Sequence, residues 1–153
     1  MTVFERISEH LDKTIGEFYV REDNGAVMFN CMSEIMEETM ECTIFMDDDS
    51  FVVVMKAPIT CDMDCLDEMA KFLIQINCGM WMGNFDLDFD DGEITFRCFM
   101  SALDAVPSDE TIAMAVISSI KAIELNAEEI KNVACGAATA REMIYAGETK
   151  VEQ

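Results

Sequence analysis

The sequence predicts an α+β domain: an antiparallel sheet of about five strands flanked by helices, in the order α-βββ-α-ββ-α(α). Three observations carry that expectation. Residues 84–98 alternate apolar and polar side chains on both sides of Asp91-Gly92, the mark of a hairpin with one dry face and one wet face. Residues 3–14 and 66–77 repeat apolar side chains at helical spacing. A run opened by Pro107-Ser108 is apolar almost all the way round, so it needs cover from more than one neighbour.

Val3, Phe4, Ile7 and Leu11 set the first helix, which ends before Gly16. His10 lies on it between Glu9 and Asp12 and is expected to face solvent. Asn24-Gly25 is a turn signal, and 26–32 reads as a strand. In 32–41 two signals conflict. Met28, Met32, Met36 and Met40 recur at a helical spacing, yet the segment is acidic and runs straight into a strand. It is read as a loop or distorted strand. Met40, Cys42, Ile44 and Met46 then alternate with Glu41, Thr43, Phe45 and Asp47, giving a strand with one face more polar than the other. Asp47-Asp48-Asp49-Ser50 turns the chain into a partner strand, 51–57, which Pro58 ends.

Asp64 is placed to cap the second helix, with Asp67 and Glu68 near its positive end. Leu66, Met69, Ala70, Leu73 and Asn77 mark its buried side, and Gly79 lies past its end. In the hairpin that follows, Phe85, Leu87 and Phe89 share the dry face with Ile94, Phe96 and Cys98. Ser108 is a natural cap for the third helix. Asn126 with Glu129 resembles a capping box and is read as the start of a last helix, with Ile130, Val133, Ala134 and Ala137 as its stripe. Residues 1–147 are expected to form a single domain and 148–153 a polar C-terminal tail.

A chain of 153 residues can bury a full core. Its net charge of -21, from 31 acids against 10 bases, argues against nucleic acid and against anionic membrane, both of which bind through cations. It leaves a protein partner that is basic or offers an apolar segment. Seven cysteines at irregular spacing, with no secretory signal, place the chain in a reducing compartment, the cytoplasm, with thiols acting as small hydrophobes. The longest apolar stretch, around 113–117, is too short to span a bilayer. Fourteen methionines suit an adaptable core or a plastic binding surface.

Catalytic patterns are wanting. The one histidine stands alone, so no Cys-His or Ser-His device can be assembled from sequence neighbours. Cys61 and Cys65 are spaced Cys-x3-Cys, and zinc would need two further soft ligands. Asp86, Asp88, Asp90 and Asp91-Gly92 suggest a calcium loop, but the glycine arrives one place late and Arg97 stands where the bidentate glutamate belongs. No catalytic residue, cofactor or metal is therefore expected. The alternative is a small metal-binding or redox protein using Cys61, Cys65 and the acidic hairpin. Met80, Trp81 and Met82 read either as a plug sealing the core, the commoner fate of large apolar side chains, or as a partner-binding patch. They are the candidate partner-binding residues. Ile112, Val116, Ile117 and Ile120 are the candidate dimer interface.

Four stretches between residues 25 and 136 are specific as a group. Asp47-Asp48-Asp49-Ser50 leads to Phe51-Val52-Val53-Val54 and Pro58, and Leu73-Ile74-Gln75-Ile76-Asn77 closes a helix. Gly83-Asn84-Phe85-Asp86-Leu87-Asp88 pairs with Asp91-Gly92-Glu93-Ile94-Thr95-Phe96-Arg97, and Ser108-Asp109-Glu110-Thr111-Ile112 opens the next helix. On these the chain resembles the YbjN family, whose fold is like that of type III secretion chaperones. The resemblance implies a flat antiparallel sheet packed on helices, often as a homodimer, with no enzymatic activity and a suspected regulatory role. Secretion chaperones of that fold are small and acidic and wrap segments of their partners. The chain departs from the family in its methionine and cysteine content and in the acidic stretch 34–41.

Overall fold

Alternating apolar residues lay down six strands, and the amphipathic segments pack on one side of them. The computed structural model describes residues 1–103 and 105–151, and side chains as far as residue 146. In chain order the elements are α1 (Val3–Thr14), β1 (Tyr19–Val20), β2 (Val27–Ser33), β3 (Glu38–Met46) and β4 (Ser50–Thr60). A 3-10 turn (Met63–Cys65), α2 (Leu66–Asn77), β5 (Asn84–Leu87), β6 (Glu93–Ser101), α3 (Asp109–Ala134) and α4 (Ala140–Val151) follow. All strands pair antiparallel, in the order β1-β2-β3-β4-β6-β5. The strand beyond the expected five is β1, two residues at the sheet edge and too short to leave a pattern.

One face of the sheet is dry. Phe29, Met40, Cys42, Ile44, Phe51, Val53, Met55, Ile94, Phe96 and Cys98 are all buried. Ile7 and Leu11 of α1, Met69, Phe72 and Leu73 of α2, and Ile112, Ala115, Ile123 and Ile130 of α3 complete the same core. Burying a side chain of this size stabilises by about 1.5–3 kcal/mol, so the helices are held chiefly by this face.

The ambiguous segment is a hairpin. Ser33 pairs with Glu38, and residues 34–37 form the turn between β2 and β3, with Glu37 at φ 55. Ser33 fixes it from below: its hydroxyl accepts the Met36 N–H at 3.1 Å and donates to Glu124 of α3 at 2.7 Å.

Several expectations are corrected. His10 is 7% exposed rather than solvated, because the first turn of α3 lies over α1. Its Nδ1 is 2.9 Å from Asp109 Oδ1, and Arg6 reaches the same oxygen at 2.8 Å. The hydrogen bond from His10, helped by Arg6, holds the Asp109 carboxyl below its usual range. Asp64 caps nothing; it sits inside the 3-10 turn, and α2 starts without a side-chain cap. Ser108 does cap α3, accepting the Thr111 N–H at 3.1 Å. Asn126 opens no helix: α3 runs unbroken to Ala134, and the Asn126 amide donates to the Ala122 carbonyl one turn back, at 2.8 Å. The last helix begins at Ala140, whose N–H is accepted by Glu68 of α2 at 2.9 Å. It runs to Val151, so the backbone of residues 148–151 of the expected polar tail is helical, and 152–153 lie outside the described residues. Phe89 leaves the dry face because β5 stops at Leu87 and the turn carries it into solvent. Among the described residues no helix is long and apolar enough to cross a membrane.

Candidate functional site: the open face of the sheet

Side chains one step out of phase with the core point away from the helices. On β3, β4 and β6 these are Thr43 and Phe45, Val52 and Val54, Thr95, Arg97 and Phe99. The register sets Phe45 opposite Val52 and Val52 opposite Phe99, an apolar row across three strands. With strands about 4.8 Å apart the row is about 10 Å long. Phe45 is 38% exposed and Phe99 60%.

The row ends at the loop between α2 and β5, where Trp81 is 98% exposed. Two contacts set that loop. Gly83 lies so close to β6 that a Cβ would collide with the Arg97 carbonyl oxygen and the Phe96 ring, so only glycine lets the chain pass. Before the loop, Asn77 acts as a surrogate strand: its amide donates to the Phe85 carbonyl at 3.0 Å and accepts the Phe85 N–H at 2.8 Å. That pair closes the outer edge of β5 at Phe85.

A cross-strand ion pair, Arg97 Nε to Asp86 Oδ2 at 2.9 Å, divides the face into two shallow grooves. One, of about 420 Å³, is lined by Trp81, Met82 and Phe99; the other, of about 640 Å³, by Phe45, Val54 and Phe89. The pair is exposed and contributes at most about 1 kcal/mol. Lys56 is likewise held, by Glu93 at 3.2 Å. Acids bound the face at both ends, with Asp47, Asp48 and Asp49 in the β3–β4 turn and Asp88, Asp90 and Asp91 in the β5–β6 turn. A third groove, of about 520 Å³, lies between β4 and the end of α3, lined by Pro58, Ile59, Lys131 and Cys135 among others.

The expected site residues are placed as follows. Met80 packs half-buried against the core, Met82 is partly exposed, and Trp81 is in water, so the tryptophan plugs nothing. Of the four α3 residues, Ile112 and Val116 are buried within the chain and offer no surface to a second copy. Ile120 is half-buried and Ile117 is exposed. Met114 and Leu125, the latter 80% exposed, extend the outer side of α3 and are not among the expected residues.

Cys61 is buried, and burial first, then Cys65 and Asp62, push its thiol up to about 11. It donates to the Asp62 carbonyl at 3.3 Å. Cys65 is raised as well, by burial and then by Asp62 and Asp64. Reactive or metal-binding thiols are shifted the other way. Asp88 accepts the Asp90 N–H at 2.8 Å and Asp91 the Glu93 N–H at 2.9 Å, so these carboxylates shape the turn. Among the described residues no three His, Cys, Asp or Glu side chains are grouped so as to hold a metal ion.

The sequence reading missed Phe45, Val52, Val54 and Phe99 as a unit. A signal existed. Phe45 follows Glu41 and Thr43 on the polar side of β3, and Phe99 follows Thr95 and Arg97 on that of β6. An aromatic residue out of phase with its own core is visible in a single strand; that two of them align is visible only once the register is known.

No protein-family model matches the chain, and no curated protein matches it. Among solved structures, that of YbjN from E. coli, described as a proposed transcription regulator, covers 88% of this chain and 89% of its own. Identity is 18% and the TM-score 0.54. The likeness establishes the fold: a YbjN-like α+β architecture, as the motifs around Asp47 and Gly83 imply.

Proposed function

We propose that this chain is a non-enzymatic protein-interaction domain, a chaperone-like or regulatory adaptor, that binds a protein segment on the open sheet face beside Trp81. The observation that carries the reading is the 98% exposure of Trp81 at the end of the Phe45–Val52–Phe99 row. Large aromatic side chains in water are stabilised by cover, and they are enriched where proteins meet partners. The description of YbjN as a regulator is compatible with an adaptor; a charge of -21 favours protein over DNA as what this chain contacts. Seven free cysteines, four of them buried, support the cytoplasm as its compartment.

The test is capture from native lysate, comparing the full chain with a Trp81→Ser, Phe99→Ser double variant at two salt concentrations. A partner held by the parent at both salts and lost from the variant is the expected result. Identical captures by the two proteins would sink the reading.

Pairing of two copies belongs to the same proposal. Its support is the outer side of α3, where Met114, Ile117 and Leu125 are exposed at spacings that place them along one side of the helix. Light scattering should give a dimer that Ile117→Glu converts to monomer; a monomer at high concentration before any substitution would remove the dimer from the proposal.

A further inference from the structure

Resting on that reading, we infer that the occupant of the open face is a cationic segment: apolar or aromatic side chains at its centre and lysine or arginine at both ends. The layout of charge along the strands carries this. Ser50 pairs with Ser101 at one end of the β4–β6 ladder, and Thr60 pairs with Glu93 at the other. At about 3.4 Å per residue the two ends are about 27 Å apart. Asp47, Asp48 and Asp49 stand at the first end; Asp88, Asp90 and Asp91 stand at the second. Between them lie Phe45, Val52, Val54 and Phe99, flanked by Trp81 and Met82. The two cations of this face among the described residues, Lys56 and Arg97, are already held by Glu93 and Asp86. The face therefore offers acid, apolar surface and acid in succession, with its own cations neutralised.

Charge selects among occupants. A second copy brings the same -21 and the same acidic turns, so face-to-face pairing sets like charge against like. Phosphate backbones and anionic headgroups are repelled for the same reason. Addition of a strand at β5 is opposed by Asn77, which already takes the Phe85 backbone groups. A segment lying over the face, along the strands, meets none of these obstacles. Its central side chains reach the apolar row and its terminal cations reach the two acidic ends.

Trp81 is the only tryptophan and stands in water, so its emission reports occupancy directly. The experiment titrates the full chain with three tryptophan-free synthetic peptides at moderate salt. The first has a Leu-Phe-Leu-Phe centre and a lysine pair at each end. The second keeps the centre and carries glutamate pairs. The third keeps the lysines around a Ser-Gly-Ser-Gly centre. The first peptide is expected to shift Trp81 emission to the blue and to bind at least tenfold more tightly than either control. An Asp47→Asn, Asp48→Asn, Asp49→Asn variant, which leaves the apolar row intact, is expected to bind it several-fold more weakly and with a flatter salt dependence. Equal binding of the glutamate peptide would overturn the charge assignment, and equal binding of the serine-glycine peptide the apolar one. A blue shift on concentrating the protein alone would make a second copy the occupant, and no shift with any peptide would also overturn the proposal. Each of these results leaves the lysate comparison standing, so failure here is distinct from failure of the interaction-domain reading.

Discussion

The two faces of the sheet are made by the same strands, one residue out of step, and are built to opposite rules. On the covered face every position from Phe29 through Cys98 named above is buried, and the only heteroatoms brought by those side chains are methionine and cysteine sulfurs, the buried Ser33 hydroxyl at the rim being bonded to Met36 and Glu124. On the open face aromatic and β-branched residues sit among Thr43, Thr95, Arg97 and Asp86, and Lys56 and Arg97 are each paired across strands. The covered face obtains its stability from exclusion of water. The open face holds apolar groups in water that the fold leaves uncovered, beside polar groups that keep it from collapsing. A phenylalanine therefore has two different roles in this molecule, and its phase in the strand decides which.

The sharpest way to break the comparison is to truncate one phenylalanine on each face. Phe51→Ala removes a ring that is 1% exposed and should destabilise by about 3–5 kcal/mol. Phe99→Ala should change stability by about 0.5 kcal/mol or less, as for other surface positions. Urea unfolding followed by circular dichroism checks both, and equal losses would erase the distinction. Next comes the edge where the faces meet. Asn77→Leu leaves the Phe85 N–H and carbonyl without their partner, for a loss of about 1–3 kcal/mol, and exposes a strand edge. The variant should aggregate on heating where the parent does not, which turbidity reads; unchanged solubility and midpoint would mean that the clamp protects nothing. The smallest effect is chemical. Burial raises the thiols of Cys31, Cys42 and Cys98 on the covered face, Cys31 to about 11. Iodoacetamide at mildly alkaline pH should label exposed Cys78 and Cys135 first and reach those three only in urea, with peptide mass mapping as the readout.

Much of this architecture was legible in the residues. The hairpin at Asp91-Gly92, α1 and the Ser108 cap were readable because each is decided by neighbours within a few positions. Residues 32–41 were not, because a methionine every fourth residue satisfies both periods: four is one helical turn and also twice the strand repeat. The structure resolves it with a turn at 34–37, which leaves Met28 on the open face and Met40 in the core. His10 misled because its cover, Asp109, is remote in sequence. Asn126 misled because the residues of a capping box can equally bond backward inside a helix. The site was legible in part. Trp81 stands out in the sequence as large and solitary, but its exposure depends on Gly83 pressing against β6, and the row that continues from it depends on two registers.

The seam between β4 and β6 is the one place in the sheet where neighbours are not consecutive in the chain. Residues 61–92, with all of α2 and β5, must be looped out before it can form, so its contacts cost more loop-closure entropy than those of any other strand pair in the sheet. Phe45 and Val52 belong to the meander that precedes the loop; Trp81 lies within the loop, and Phe99 arrives with the strand that follows it. A half-folded chain thus carries half of the apolar row, and a slip of one residue at the seam would turn Phe99 inward and bring Cys98 out in its place. The open face is complete only once that seam has closed.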